Sequence, residues 1–450
     1  MSDTDCLIEN SGLRLEIEEA VQEGDHREVA RLYGHLKDKH PENYNFIEQE
    51  IVALQRCYEW AKADCRSAAA TTCFPNSLRL ALIHSRNPYQ NYDWQVAIDR
   101  FEDLRRRFPP TEYFESAETL LDQFHCYDQM EDEEAAKDFV KRQWRIVRGY
   151  PASRYGRRVE VSEIGRFLEP ADREEHLVWS AEGLPQHYRP CYDHRMKTSL
   201  WNEGWIARNA PDVLLISLGQ SCLPWVVPNR WGLRPSSHTM NPFSVFDHLG
   251  LPGNGSANVI ANDFDGFLEL DSLRSTTFTK KTPALVQKNL NTWFFHEKGP
   301  WWAEENWKRL HEAYQSRINR FRLARRSGKR LYIFCIAGAC NVDTLIDAFE
   351  SQLDDNDARL LIINVLKEEQ DISIHSPRIR IRHIPFPEDY NWNDWVDYEG
   401  DRGHIFELEI VRTIREQLAD LKDYRTDVFR FKNAVQQMFA PFIQWNFFQR

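Results

Sequence analysis

The sequence comprises 450 residues, of which 42% are hydrophobic, 13% aromatic and 28% charged. This length and apolar content suit two or three globular domains and exclude extended disorder. Acidic residues outnumber basic ones, 69 to 57, and the resulting net charge of −12 argues against a nucleic-acid-binding protein. No run of about 18 apolar residues predicts a membrane-spanning helix, and the acidic, polar N-terminus predicts no signal peptide.

The nine cysteines stand at irregular spacings, without a Cys-x-x-Cys pair. A disulfide framework or a structural zinc site needs regular pairs, so neither is expected. The sequence therefore predicts reduced thiols and a cytoplasmic location.

A helical pattern covers roughly residues 1–195. Apolar residues recur every three or four positions, as at Val29, Leu32 and Leu36. Several segments end at an aromatic residue or histidine before a proline: His40-Pro41, Phe108-Pro109 and Tyr150-Pro151. Since these points are unevenly spaced, the region resembles a degenerate array of tetratricopeptide-type helical hairpins. Such an array is expected to recruit a protein or glycoconjugate partner, and a helical bundle packed on the neighbouring domain is the alternative.

A domain boundary is expected around residues 184–209, where prolines and turn-forming residues interrupt the pattern. Beyond it, short apolar runs predict strands at 213–218, 331–336 and 360–365, and an alternation of apolar and basic residues predicts a fourth at 379–384, with helical patterns between them. The sequence thus predicts an α+β protein, with a helical domain over 1–195 and an α/β domain over 205–450. Residues 235–275 are rich in Gly, Pro, Asn and Ser and are expected to form mostly loops.

The segment Leu218-Gly219-Gln220-Ser221-Cys222 directly follows the first predicted strand. Glycine permits a turn with positive φ, and Pro224 suits the first turn of a helix. Cys222 is therefore expected at a strand-to-helix junction, where a helix N-terminus lowers the pKa of a thiol. Gln220 is a candidate hydrogen-bond donor that would stabilise an oxyanion. The alternative is that Cys222 is a small buried residue of the turn.

Four short motifs follow one another in this part of the chain: Leu218-Gly219-x-x-Cys222, Gly232-Leu233-Arg234, Pro242-Phe243 and Asp263-Phe264. Their order resembles that of a bacterial family described as papain-like cysteine peptidases, a domain of unknown function. The resemblance covers roughly residues 212–420. It implies a papain-like fold and a cysteine nucleophile. The chain departs from the family in having Ser244-Val245 where the family has Asp-Trp after Pro-Phe.

A thiol nucleophile needs a base within hydrogen-bonding distance, and a carboxylate or amide usually orients that base. The papain-like order places the histidine after the cysteine, which favours His296, 74 residues downstream of Cys222. The rival histidines are His238, His248 and His404, and the candidate orienting carboxylates are Asp247 and Asp265.

Other groups of residues do not predict a metal or cofactor. Asp397, Glu399, Asp401 and His404 are of ligand type but match no metal motif, so they are better explained as the capped start of a helix. The turn Gly338-Ala339-Cys340-Asn341 lacks a nucleotide-binding glycine motif.

Tryptophan is concentrated in the second half, where 11 of the 15 lie at or beyond Trp201. The clusters around Trp302 and Trp392 would suit sugar stacking or core packing. Two functions remain open. One is a cysteine hydrolase or acyltransferase that uses Cys222. The other, which the family resemblance also implies, is a non-catalytic or glycosyltransferase-like glycan-binding protein associated with surface-polysaccharide biosynthesis.

Overall fold

The computed structural model describes most of the chain and shows a mixed α+β protein. The described residues are 3–108, 117–130, 132–149, 167–182, 186, 189–234, 244–247, 249–277, 283–294, 297, 302–326, 328–353, 357–368, 376–388 and 401–421. Helices occupy the N-terminal part, and strands alternate with helices in the C-terminal part.

Helices form the N-terminal part of the described chain, and connections of three or four residues join the first six of them. They are α1 (Asp3–Gln22), α2 (His26–Lys39), α3 (Tyr44–Arg56), α4 (Trp60–Cys73), α5 (Leu78–Gln90), α6 (Trp94–Arg107), α7 (Ala117–Gln129), α8 (Glu133–Val147), α9 (Pro170–Glu182) and α10 (Arg189–Asn209). From α1 to α8 each helix packs against the next. Their apolar faces account for this packing, since α2 buries Val29, Leu32 and Leu36.

A regular repeat runs through α2 to α6. Helices α2, α4 and α6 begin at His26, Trp60 and Trp94, at intervals of 34 residues. These helices are capped by His40, Phe74 and Phe108, each of which precedes a proline. A proline disfavours the helical conformation of the residue before it, which explains why each helix ends there. The uneven spacing expected from the sequence is therefore wrong for this stretch, because Phe74-Pro75 supplies the middle member of the series.

The turns that precede these helices repeat as well. Gly24, Tyr58 and Tyr92 lie 34 residues apart, and their φ angles are 68°, 60° and 62°. This left-handed conformation ends one helix and redirects the chain into the next. It is unusual for tyrosine, so packing around Tyr58 and Tyr92 must stabilise it.

The C-terminal part contains two sheets and the helices that cover them. Its elements are β1 (Val213–Ser217), α11 (Leu223–Arg230), β2 (Leu249–Gly250), α12 (Gly255–Ala261), β3 (Leu273–Thr277), β4 (Pro283–Gln287), β5 (Thr292–Phe294), α13 (Glu304–Arg325), β6 (Lys329–Ile336), α14 (Val342–Gln352), β7 (Ala358–Asn364), β8 (Ile379–His383) and α15 (Asp401–Asp420). Strands β1, β6, β7 and β8 lie close to the ranges predicted from the sequence, whereas β2, β3 and β4 were not predicted. Residues 235–275, expected to be mostly loop, include α12 and the start of β3.

The first sheet is parallel, with the strand order β1-β6-β7-β8. Leu215, Ile333 and Leu361 point to one face, where α11 and α15 pack. Ile216 and Tyr332 point to the other face, which α13 and α14 cover. Burial of both faces explains why β1, β6 and β7 are nearly continuous apolar runs, whereas the edge strand β8 alternates apolar and basic residues and is only partly buried.

The second sheet is antiparallel, with the strand order β2-β5-β4-β3. It is formed by the segment between β1 and β6, and it shares a hydrophobic core with the α13 face of the parallel sheet. Phe294 of β5 meets Tyr314 of α13 edge-on, with ring centroids 4.8 Å apart. The residue after β2, Leu251, packs against Gly219 at the carboxyl end of β1, and β2 pairs with β5, so this sheet adjoins the end of β1.

Candidate functional site

Cys222 lies at the carboxyl end of β1, where the chain turns into α11. The turn passes through Gly219 and Gln220, whose φ angles are 94° and 61°. Cys222 is the N-cap residue of α11, as the sequence indicates. Ligands of parallel α/β sheets bind beyond the carboxyl ends of the strands, so Cys222 occupies a position suited to chemistry.

Gly219 allows the turn to pack closely against its surroundings. A β-carbon at this position would lie 2.7 Å from Cδ1 of Leu251 and 3.2 Å from Oγ of Ser256. A side chain at this position would force the end of Leu251 to shift, and the positive φ also disfavours other residues. The turn is therefore fixed by both sterics and backbone conformation.

The side chain of Gln220 holds three segments together. Its amide nitrogen donates to the carbonyl oxygen of Gly253 at 3.2 Å, and its oxygen accepts from the N–H of Ala337 at 2.9 Å. These bonds connect the β1 turn to the segment after β2 and to the end of β6. Gln220 thus acts as a structural tie, whereas the sequence suggests it as an oxyanion donor.

Asp247 is the buried carboxylate of the site. Its Oδ2 accepts the backbone N–H of Ser244 at 2.7 Å and lies 3.7 Å from Nη1 of Arg234. Burial raises the pKa of Asp247 to about 6, although Arg234 opposes that rise. The rival candidate, Asp265, is exposed and accepts the N–H of Gly266. Of the two carboxylates, Asp247 is the one placed to act on Cys222.

The thiol of Cys222 is kept protonated by its surroundings. Burial, together with the negative charges of Asp247 and Glu297, raises its pKa to about 12. The expectation that the helix N-terminus lowers this pKa is therefore wrong. Loss of hydration and two carboxylates outweigh the dipole of a short helix.

Glu297 belongs to a buried polar cluster that the sequence analysis missed. Its carboxylate accepts the hydroxyl of Tyr314 at 2.8 Å and lies 3.0 Å from Nη1 of Arg317. Glu297 is fully buried and is the residue after His296. A signal was present in α13, where Arg317 interrupts the buried face that runs through Leu310, Tyr314 and Phe321.

Three of the four histidine candidates, His238, His248 and His296, lie outside the described residues. The fourth, His404, belongs to a different cluster. Its Nε2 lies 3.0 Å from Nδ1 of His194, and its ring packs on Trp231 just beyond the C-terminal end of α11. Cys222 is at the opposite end of this eight-residue helix, about 12 Å away. His404 is therefore placed to stabilise the packing of α10 against α15.

The other sequence candidates show local structural roles. Asn341 caps α14 by accepting the N–H of Thr344 at 3.2 Å. Trp302 is 3% exposed and packs against Tyr92, so its ring faces are buried, whereas Trp392 lies outside the described residues. Asp397 and Glu399 also lie outside them. In the part of the chain that the structure describes, no group of three or more His, Cys, Asp or Glu side chains is arranged to hold a metal ion.

Comparisons with known proteins assign no family. No family model, no curated protein and no solved structure matches this chain. Among the described helices, none has the length and apolar character needed to cross a membrane.

Proposed function

We propose that the protein is a cysteine hydrolase or acyltransferase with Cys222 as its nucleophile. The observation that carries the proposal is the position of this thiol. It stands at the N-cap of α11 and the carboxyl end of β1, in a turn shaped by Gly219 and tied by Gln220. The buried carboxylate of Asp247 acts on it. A thiol, an adjacent carboxylate and a nearby histidine would form the group that acyl transfer needs.

The raised pKa of Cys222 determines how such a reaction would start. At neutral pH the thiol is protonated, so a base must remove its proton as the sulfur attacks. His296 is the proposed base, because it follows β5 and directly precedes Glu297, whose charge reaches Cys222. Asp247 is the proposed orienting carboxylate. As the S–C bond forms, His296 takes the thiol proton and then gives it to the leaving amine or alcohol. Water or another acceptor then cleaves the thioester.

The proposed role of the helical half is to recruit a protein or glycoconjugate to this site. The 34-residue interval between α2, α4 and α6 is that of tetratricopeptide repeats, which bind partners on stacked helical hairpins. The proposal places the protein in a reducing, cytoplasm-like compartment. Eight of the nine cysteines have side chains that the structure describes, and these are free thiols, which is consistent with this placement.

A second candidate function is a non-catalytic or glycosyltransferase-like glycan-binding protein of surface-polysaccharide biosynthesis. The raised pKa of Cys222 favours it, because a half-buried, protonated thiol under the charge of two carboxylates is also what a structural cysteine would show.

Acylation of the full-length protein by p-nitrophenyl acetate separates the two functions. The enzyme proposal predicts a burst of nitrophenolate that Cys222→Ala abolishes, and an acetyl group mapped to Cys222 by peptide mass spectrometry. Cys340→Ala is the matched control, because Cys340 is also a half-buried thiol next to Gln220. A burst that survives in Cys222→Ala, or acetylation spread over several cysteines, contradicts the enzyme proposal and favours the binding protein.

A further inference from the structure

Strand β1 lies at one edge of the parallel sheet, and side chains from the segments that follow it bind its backbone. Nη2 of Arg234 donates to the carbonyl oxygen of Leu215 at 3.1 Å. The hydroxyl of Ser244 donates to the carbonyl oxygen of Ser217 at 3.4 Å. Both bonds satisfy acceptors that a neighbouring strand would otherwise take at a sheet edge. The two segments are thus attached to β1 next to the turn that leads to Cys222.

The same guanidinium meets the carboxylate of Asp247. Nη1 of Arg234 lies 3.7 Å from Oδ2 of Asp247, and that oxygen also accepts the N–H of Ser244 at 2.7 Å. Arg234 is 5% exposed, and Asp247 is fully buried. Because a buried charge requires a partner, this pairing favours an ionised carboxylate. One arginine thereby connects Asp247 to the backbone of β1.

The two oxygens of Asp247 differ in their contacts. Oδ2 has the two contacts given above, whereas Oδ1 is buried and has no hydrogen-bond partner among the residues that the structure describes. A buried acceptor without a donor is destabilising, so such an atom indicates a donor that docks onto it. The N–H of an imidazole is a donor of this kind. Oδ1 is therefore the oxygen that suits the base of the proposed reaction.

We propose that Arg234 is a positioning residue of the site, which holds Oδ2 of Asp247 beside β1 and leaves Oδ1 as the acceptor for the N–H of the catalytic base. The inference rests on the proposed function in taking Asp247 as the orienting carboxylate. It deepens that function by assigning the aim and the charge of this carboxylate to a guanidinium that the backbone of β1 fixes in place. In this assignment Arg234 acts through Asp247.

The ionisation of Asp247 gives this role a measurable sign. Burial raises the pKa of Asp247 to about 6, and the charge of Arg234 is the largest influence that opposes the rise. The other groups that act on the carboxylate or feel its charge are Arg317 of α13, the N–H of Ser244, the hydroxyl of Ser217 and the protonated thiol of Cys222. Loss of the Arg234 charge should raise the pKa of Asp247 by about 1 further pH unit.

The first measurement is the unfolding free energy of the full-length wild type relative to Asp247→Asn, by urea denaturation at a series of pH values. A carboxyl with a raised pKa stabilises the folded state when protonated. The difference should therefore fall as pH rises from 3.8 to about 6 and then level off. When both proteins also carry Arg234→Met, the levelling-off should move about 1 pH unit to the alkaline side. Arg234→Lys keeps the charge and should leave it near the wild-type position.

The second measurement connects this shift to the reaction. It is the pH profile of the rate at which p-nitrophenyl acetate acylates Cys222. At about pH 6, Arg234→Met should react about fivefold more slowly than the wild type, and the rates should converge above about pH 8, where Asp247 is ionised in both. Arg234→Gln, whose amide can replace the hydrogen bond to Leu215, is a second uncharged variant and should show the same shift.

Arg330→Met is the matched control. Arg330 is 3% exposed and donates to the carbonyl oxygen of Gly328 at 2.8 Å, at the amino end of β6 and thus at the opposite end of the sheet from Cys222. In this variant both the levelling-off and the pH profile of acylation should coincide with those of the wild type.

An unmoved levelling-off in the uncharged Arg234 variants, or an equal shift in Arg330→Met, overturns the inference. So does an acylation rate that Arg234→Met lowers by the same factor at every pH, because a purely structural role gives that result. The proposed function is tested separately by the wild type. If Cys222 of the wild type is not acylated, the enzyme proposal fails, and the unfolding measurements still decide whether Arg234 controls the charge of Asp247.

Discussion

At the scale of single residues, Gly219 decides whether Cys222 can stand at the end of β1. Its φ of 94° suits glycine, and a β-carbon here would lie too close to Leu251 unless that side chain moved. Gln220 also has a positive φ, and its two side-chain hydrogen bonds offset the strain of that conformation. The geometry of the turn therefore depends on two neighbouring residues, Gly219 and Gln220.

Replacing Gly219 by alanine should destabilise the protein more than the same change at Gly253. Gly253 also has a positive φ, of 61°, but nothing lies within 4 Å of its would-be β-carbon. Gly253→Ala should lower the free energy of unfolding by about 1 kcal/mol, because alanine disfavours the left-handed backbone conformation. Gly219→Ala should lower the free energy of unfolding by about 3 kcal/mol, because the new β-carbon also clashes with Cδ1 of Leu251. Urea unfolding monitored by circular dichroism measures both, and equal losses would show that the turn is not closely packed.

At the scale of elements, α11 connects the candidate site to the rest of the domain. Its N-terminus carries Cys222, and the residues at its other end bind α15. Trp231 donates from Nε1 to Oε2 of Glu407 at 2.6 Å, and Arg230 pairs with the other oxygen of that carboxylate. The contact between His194 and His404 adds α10 to this group. Packing among these three helices thus fixes the base of the site.

Acid should weaken this helix packing through His404. Burial foremost, then the charges of His194 and Arg195, lower its pKa to about 3, against an ordinary value of 6.5. Between pH 6.5 and 3, His404 is protonated in the unfolded chain but neutral in the folded protein. Stability is therefore lost as pH falls from 6.5 towards 3. In His404→Gln this loss is absent. The unfolding free energy of the wild type should fall relative to the variant by about 1.4 kcal/mol per pH unit in that window.

Chemical denaturation at several pH values measures this difference between wild type and His404→Gln. His35→Gln is the control, because His35 is exposed on α2 and lies outside the contact between His194 and His404. If the unfolding free energies of the wild type and His404→Gln differ by the same amount at every pH, His404 is protonated as readily in the folded protein as in the unfolded chain.

At the scale of the whole molecule, local patterns predicted more than distant contacts did. The apolar run of β1, the glycine after it and Pro224 lie within twelve residues, so the junction at Cys222 was visible in the sequence. Gln220 binds residues 33 and 117 positions away, and no local pattern indicates such partners. The raised pKa of Cys222 was equally hidden, because it depends on burial by segments distant in sequence.

The relation between the two halves belongs to this scale too. Tyr92 is one of three residues at equivalent turn positions, and its ring also packs against Trp302 of the α/β part. The repeat itself was readable from His40-Pro41, Phe74-Pro75 and Phe108-Pro109, of which the middle member was overlooked. A period can be read from one sequence, but the face on which a repeat meets its neighbour depends on tertiary packing.

The proposed acyl-transfer reaction requires Cys222 to lose its proton to His296. The measurement is the rate at which p-nitrophenyl acetate acylates Cys222 in His296→Ala and in His248→Ala, at neutral pH. Loss of a general base should slow acylation in His296→Ala by about 100-fold or more, while His248→Ala keeps the wild-type rate. An unchanged rate in His296→Ala, or a loss confined to His248→Ala, would contradict the assignment of His296 as the base.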